Sequence, residues 1–156
     1  MEELARSVGE RLKSARAMLV TAESCTGGWV AQALTSVAGS SEWFERGFVA
    51  YSNDAKRELL GVRAETLSRH GAVSEETARE MARGALERSR GTLALAVTGI
   101  AGPGGASPGK PVGMVCFAWA AKAGLLRSET CHFRGDRESV RRQSVIHALQ
   151  GVLKNP

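Results

Sequence analysis

Apolar residues recur along this chain with two periods, and the change from one to the other marks out its elements. Leu4, Val8, Leu12 and Ala15 fall at helical spacing from Glu2 to about Ala17, which predicts an amphipathic helix. Residues 17–21 then read as a buried strand, and residues 28–37 as the helix that follows. Phe44, Phe48, Val49 and Tyr51 predict a second strand over 44–51. Asn53 can cap a short helix holding Lys56, Leu59 and Leu60, closed by Gly61. A further helical stretch covers 64–69. From Ser74 to about Arg88 a helix is expected: Ser74 suits the N-cap and Glu75 and Glu76 suit the positive helix start. Ala78, Met81, Ala82, Ala85 and Leu86 supply its apolar face. Residues 92–97 form a compact strand, and the glycines and prolines of 99–111 make a long loop. Residues 112–120 and 125–133 predict an antiparallel hairpin around 121–124. Asp136 can cap a last helix whose apolar positions are Val140, Val145, Ile146, Leu149 and Val152.

Helices separating the early strands, with a hairpin at the end, predict an α/β fold. The expectation is a single-domain sandwich over 1–156 with a mixed, largely parallel sheet flanked by helices. The length suits one domain with a genuine core, and no repeat or linker divides it.

Composition narrows the function classes. No apolar run is long enough to cross a bilayer, and Met1-Glu2-Glu3 lacks the basic start of a secretory signal, so a cytoplasmic protein without membrane contact is expected. Cys25, Cys116 and Cys131 have no metal-ligand spacing, and His70, His132 and His147 are scattered, so neither a metal nor a cofactor is expected. The net charge of +5 favours anionic partners. Nucleic acid is not expected: there is no recognition motif, and only 5% of residues are aromatic. A small phosphate-bearing ligand accounts for the arginines at least as well.

The chemistry gathers at strand ends. Thr21-Ala22-Glu23-Ser24-Cys25-Thr26-Gly27-Gly28 is a hydroxyl-rich, glycine-ended turn between a strand and a helix, where exposed N–H groups attract anions. Tyr51-Ser52-Asn53-Asp54-Ala55-Lys56 and Thr98-Gly99-Ile100-Ala101-Gly102 follow two other strands. In a parallel sheet such loops share one edge and form a crevice, here with a serine, a lysine and a tyrosine available. Neither glycine loop matches a P-loop or dinucleotide fingerprint. Cys25, beside Ser24, is a rival nucleophile with no histidine nearby to activate it.

The ESCTGG turn, the VAYSNDAK segment, the AVTGIAGPGG loop and the following KPVG resemble the CinA C-terminal domain family, from the first helix to the last. That family includes nicotinamide-nucleotide amidohydrolases, which convert nicotinamide mononucleotide to nicotinate mononucleotide and ammonia. The resemblance therefore implies a mononucleotide substrate, no cofactor, a homo-oligomer and the stand-alone form of the domain. It also implies Ser24 as nucleophile, Lys56 and Tyr51 as its activating partners, and Thr98 in the same site. Backbone groups of Thr26, Gly27, Gly28, Gly99 and Gly102 are candidates for the oxyanion or the phosphate, with the choice of loop open. Arg137 or Arg141 can receive the phosphate. Glu23 can offset the cationic ring or merely order the turn. The alternatives are a nucleotide-binding module of the same fold without catalysis and, third, a nucleic-acid binder.

Overall fold

A computed structural model of the chain describes residues 1–154. In chain order it contains α1 (Glu2–Ser14), β1 (Leu19–Glu23), α2 (Trp29–Thr35), a 3₁₀ turn (Ser40–Glu42), β2 (Phe44–Val49), α3 (Asn53–Leu60) and α4 (Ala64–His70). It continues through α5 (Glu75–Glu87), β3 (Leu93–Gly99), β4 (Met114–Ala121), β5 (Leu126–His132) and α6 (Arg137–Lys154). Every expected element is present; residues 155–156 of the expected domain lie outside the described residues. Among the described residues no helix is long and apolar enough to cross a membrane.

The layers follow from residue size. Side chains alternate across a strand. In β3, Leu93, Leu95 and Val97 enter a core with Val8, Leu12, Val30, Leu34 and Leu149 of α1, α2 and α6. Ala94 and Ala96 face the other way, against Leu60, Met81, Ala82 and Ala85 of α3 and α5. β4 repeats the division, with Val115, Phe117 and Trp119 on the first face and Cys116, Ala118 and Ala120 on the second. Bulky residues fill the space under three helices, and the small ones let α5 lie close to the sheet. Gly84 of α5 serves the same end, since a Cβ there would overlap the carbonyl of Leu60 at the end of α3.

The five-stranded sheet has the order β2-β1-β3-β4-β5. β1 pairs in parallel with β2 and β3, while β3–β4 and β4–β5 are antiparallel. The sheet is mixed, as expected, and β4 alone runs against the other strands. The carboxyl ends of β1, β2 and β3 therefore share an edge with the start of β4 and the end of β5. Segments 24–28, 50–56, 100–113 and 133–137 all leave the sheet at that edge.

Several boundaries differ from the sequence reading. α1 stops at Ser14, because Arg16 takes a left-handed conformation (φ 52°) and turns the chain; β1 then begins at Leu19 instead of at 17. Gly28 stands outside α2 as its N-cap with φ 99°, and Gly27 before it has φ 60°, conformations that favour glycine. β2 ends at Val49. Ser52, not Asn53, caps α3: its Oγ accepts from the N–H of Ala55 at 3.0 Å. Ser74 caps α5 as expected, accepting from the N–H of Thr77 at 3.1 Å.

Candidate active site

Ser24 leaves β1 where the strand is held on both sides. Its N–H donates to the carbonyl of Val97 in β3 at 3.0 Å, and the N–H of Ala50 donates to the carbonyl of Glu23 at 2.9 Å. The β1–β2 register, with Glu23 opposite Val49, carries Ser24 and the segment after β2 out side by side. The Ser52 cap then starts α3, and its first turn brings Lys56 back over Ser24.

Lys56 is 1% exposed. Its Nζ lies 2.8 Å from Ser24 Oγ, and donates to the carbonyls of Ala50 at 3.1 Å and Tyr51 at 3.0 Å. Burial lowers its pKa below the ordinary lysine value by penalising the charged form, an effect partly opposed by the nearby Cys25 thiol. Ser24 Oγ also has a long contact of 3.5 Å to the Tyr51 carbonyl. A serine hydroxyl on a desolvated amine is the arrangement of a nucleophile and its base.

Both groups open into a cleft of about 280 Å³. Its walls include Thr98, Gly99 and Gly102, together with Arg137 at the start of α6. Thr98 Oγ1 donates to the carbonyl of Ala72 at 2.8 Å, tying β3 to the segment before α5. Arg137 spans the mouth, donating to the carbonyl of Gly102 at 2.8 Å and to Tyr51 Oη at 3.1 Å. Tyr51 thus meets Ser24 and Lys56 through its main chain, whereas its phenol, on a side chain left outside the core, meets Arg137. The Tyr51 phenol, which the resemblance implies as an activating partner of Ser24, is hydrogen-bonded to Arg137 at the cleft rim. Asn53, Ala72, Val73, Gly104 and Gly105 also line the cleft. The sequence marks Asn53 as a helix cap, and its place one turn before Lys56 in the strand-end segment is the signal for its place in the cleft.

The other candidates lie elsewhere. Glu23 is buried, and its carboxylate accepts from Thr26 Oγ1 at 2.6 Å, from the N–H of Val30 at 2.8 Å and from the N–H of Ala31 at 3.0 Å. Of the two roles left open for it, ordering the turn is the one the structure displays. The start of α2 is thereby occupied by the protein's own carboxylate and offers no N–H groups of Val30 or Ala31 to a phosphate. Thr26, Gly27 and Gly28 line a separate shallow hollow with Trp29 and Arg141. Arg141 donates to the carbonyls of Cys25 at 3.0 Å and Thr26 at 3.1 Å, so it grips the turn from outside the cleft.

Cys25 does line the cleft, but burial pushes its thiol up to about 12, which leaves it a poor rival to Ser24. Among the described residues no group of three or more His, Cys, Asp or Glu side chains is placed to hold a metal ion.

A three-layer α/β sandwich with a serine–lysine pair at the carboxyl edge of its sheet is the class of protein this geometry defines. Residues 1–155 match the family model of the CinA C-terminal domain, and the chain belongs to that family. It is 55% identical over 150 residues to nicotinamide-nucleotide amidohydrolase PncC of Escherichia coli strain K12, spanning 95% of this chain and 90% of that protein. A protein of the same name from Pseudomonas putida is 51% identical over 151 residues, spanning 97% and 94%. The crystal structure of competence/damage inducible protein CihA from Agrobacterium tumefaciens superposes with a TM-score of 0.95 at 50% identity, covering 98% of this chain and 93% of that one.

Proposed function

We propose that the protein hydrolyses the carboxamide of nicotinamide mononucleotide, giving nicotinate mononucleotide and ammonia in pyridine-nucleotide recycling. The observation that carries this reading is the 2.8 Å contact between Ser24 Oγ and a lysine amine that is 1% exposed. The names of the relatives support the substrate. A neutral Lys56 donates its two N–H groups to the carbonyls of Ala50 and Tyr51 and directs its lone pair at the Ser24 hydroxyl. Ser24 Oγ attacks the amide carbon as Lys56 takes the hydroxyl proton. The same proton passes to the departing nitrogen, the C–N bond breaks, and ammonia leaves an ester on Ser24. Water, deprotonated by Lys56, then cleaves that ester and restores the serine. Placement of such a base is worth ~10²–10⁴-fold in rate.

In this reading the phosphate and ribose lie against Arg137 and the loop from Gly99 to Gly105, since the start of α2 is already occupied by Glu23. The Tyr51 phenol contributes at the rim, with Arg137. The enzyme acts in the cytoplasm as a homo-oligomer, the form that the family resemblance implies.

The test is ammonia release from nicotinamide mononucleotide by the native chain and by Ser24→Ala, with the product identified by chromatography. Turnover by the native chain that the substitution abolishes is expected. Undiminished turnover in the variant would reject the nucleophile, and nucleotide binding with no native turnover would favour the binding module.

A further inference from the structure

Glu23 and Arg141 both attach to the turn that carries Ser24, one from the end of β1 and the other from α6. Glu23 works from within. Its carboxylate is 1% exposed and gathers the hydroxyl of Thr26 and the N–H groups of Val30 and Ala31, so the turn is fastened to the first turn of α2. Arg141 reaches in from α6. Its Nε and Nη2 donate to the successive carbonyls of Cys25 and Thr26, while its guanidinium lies 5.4 Å from the centre of the Trp29 ring. A planar fork meets two adjacent carbonyls in a fixed orientation, which a lysine cannot reproduce. Between these two attachments lie the left-handed glycines 27 and 28, whose backbones would otherwise have wide freedom.

We propose that Glu23 and Arg141 are positioning residues for the reaction: together they clamp the 24–28 turn and hold Ser24 Oγ on Lys56 Nζ without touching the substrate. The proposal takes its substrate from the amidohydrolase reading above. It differs from a phosphate-binding role for Arg141, because an arginine committed to the Cys25 and Thr26 carbonyls lies outside the cleft. Catalytic geometry is demanding: a misplacement of about 1 Å can cost ~10²-fold. Losing either attachment therefore lowers the rate of the chemical step and leaves ground-state binding largely unchanged.

The test compares Arg141→Met, Arg141→Lys, Glu23→Gln and Glu23→Ala with the native chain. It reads kcat and KM for nicotinamide mononucleotide, the rate at which a fluorophosphonate labels Ser24, and the thermal melt. Expected for Arg141→Met is a fall in kcat of roughly 10- to 100-fold with KM within about 3-fold, and a parallel fall in labelling. Arg141→Lys recovers part of both, since one cationic donor nitrogen remains in place of the fork. Glu23→Gln stands between Glu23→Ala and the native chain. Should Glu23→Ala fail to fold, the Arg141 pair decides alone.

A raised KM with kcat and labelling unchanged would overturn the proposal and make Arg141 a substrate ligand. Unchanged kinetics in every variant would overturn it as well. A native chain that labels at Ser24 yet leaves the mononucleotide intact would remove the substrate reading only, and the labelling rates would then judge the clamp. A native chain inert to both would end the two together.

Discussion

The amine of Lys56 stands 2.8 Å from the hydroxyl of Ser24, although 32 positions separate them in sequence. Two main-chain carbonyls, of Ala50 and Tyr51, hold the amine there, and these acceptors are available whether or not it carries its proton. Its surroundings fix its position, and burial disfavours its charge. Removing the amine should therefore affect chemistry before binding. Lys56→Met, which keeps the apolar stem, is expected to lower kcat by ~10²–10⁴-fold with little change in KM. Steady-state ammonia release checks this, and a change confined to KM would contradict it.

The charge of Lys56 also predicts two pH responses. As a base it works only when neutral, so kcat/KM rises with pH through a folded-state pKa below the ordinary 10.5. Stability follows the same proton. In the unfolded chain Lys56 is protonated up to its ordinary value, whereas in the folded chain burial opposes the charge. The resulting destabilisation is complete below the folded pKa and disappears as pH rises from there to 10.5. The stability of the native chain relative to Lys56→Met should shift in favour of the native chain across that window. Paired denaturant titrations at several pH values measure it, and a constant difference would show that burial does not shift this lysine.

Cys25 gives a control on the nucleophile. With its thiol held up at about 12 by burial, almost none is thiolate at neutral pH. Iodoacetamide at pH 7.5 is expected to leave turnover intact over a period that fully alkylates a free thiol. Inactivation that tracks carboxamidomethylation of Cys25 would return it to candidacy.

Gly84 links helix packing to the site. A methyl group there overlaps the carbonyl of Leu60, at the end of the helix that carries Lys56. Gly84→Ala is expected to cost about 1–3 kcal/mol of stability, as overpacking usually does, and to lower kcat by displacing α3. Chemical denaturation and kinetics on the same preparation test both parts. An unshifted midpoint with native kcat would show that α3 and α5 can separate freely.

How far the sequence carried differs from one element to the next. The period-3.6 face of α5, its Ser74 cap and the strands β3 and β4 were legible because local pattern and tertiary burial agree there. β1 starts two residues later than its apolar run suggests, because Ala17 and Met18 are apolar yet form the connection between the Arg16 turn and the strand. The cap of α3 was displaced by one because serine and asparagine both cap well, and Ser52-Asn53 presents them in succession. Ser24, Lys56, Thr98 and Arg137 came together in one cleft, although their pairing depends on a parallel β1–β2 register that spacing alone does not disclose. The parts played by Glu23 and Arg141 were hidden for a plainer reason. A carboxylate at a strand end can turn toward the helix or toward the crevice, and an arginine on a helix can point to a ligand or a carbonyl. Residue type is the same in each case.

The reversal of β4 has one more consequence. Because β4 runs against β3, the segment 100–113 leaves the sheet and rejoins it at the same edge, and no helix has to cross between them. Residues can be added to or removed from it without changing any strand register, and doubling a flexible loop costs only about 0.6 kcal/mol in closure entropy. This wall of the cleft is thus a part of the fold in which length can change without disturbing the sheet, so descendants of one scaffold can reshape what they admit while the serine and lysine stay where they are.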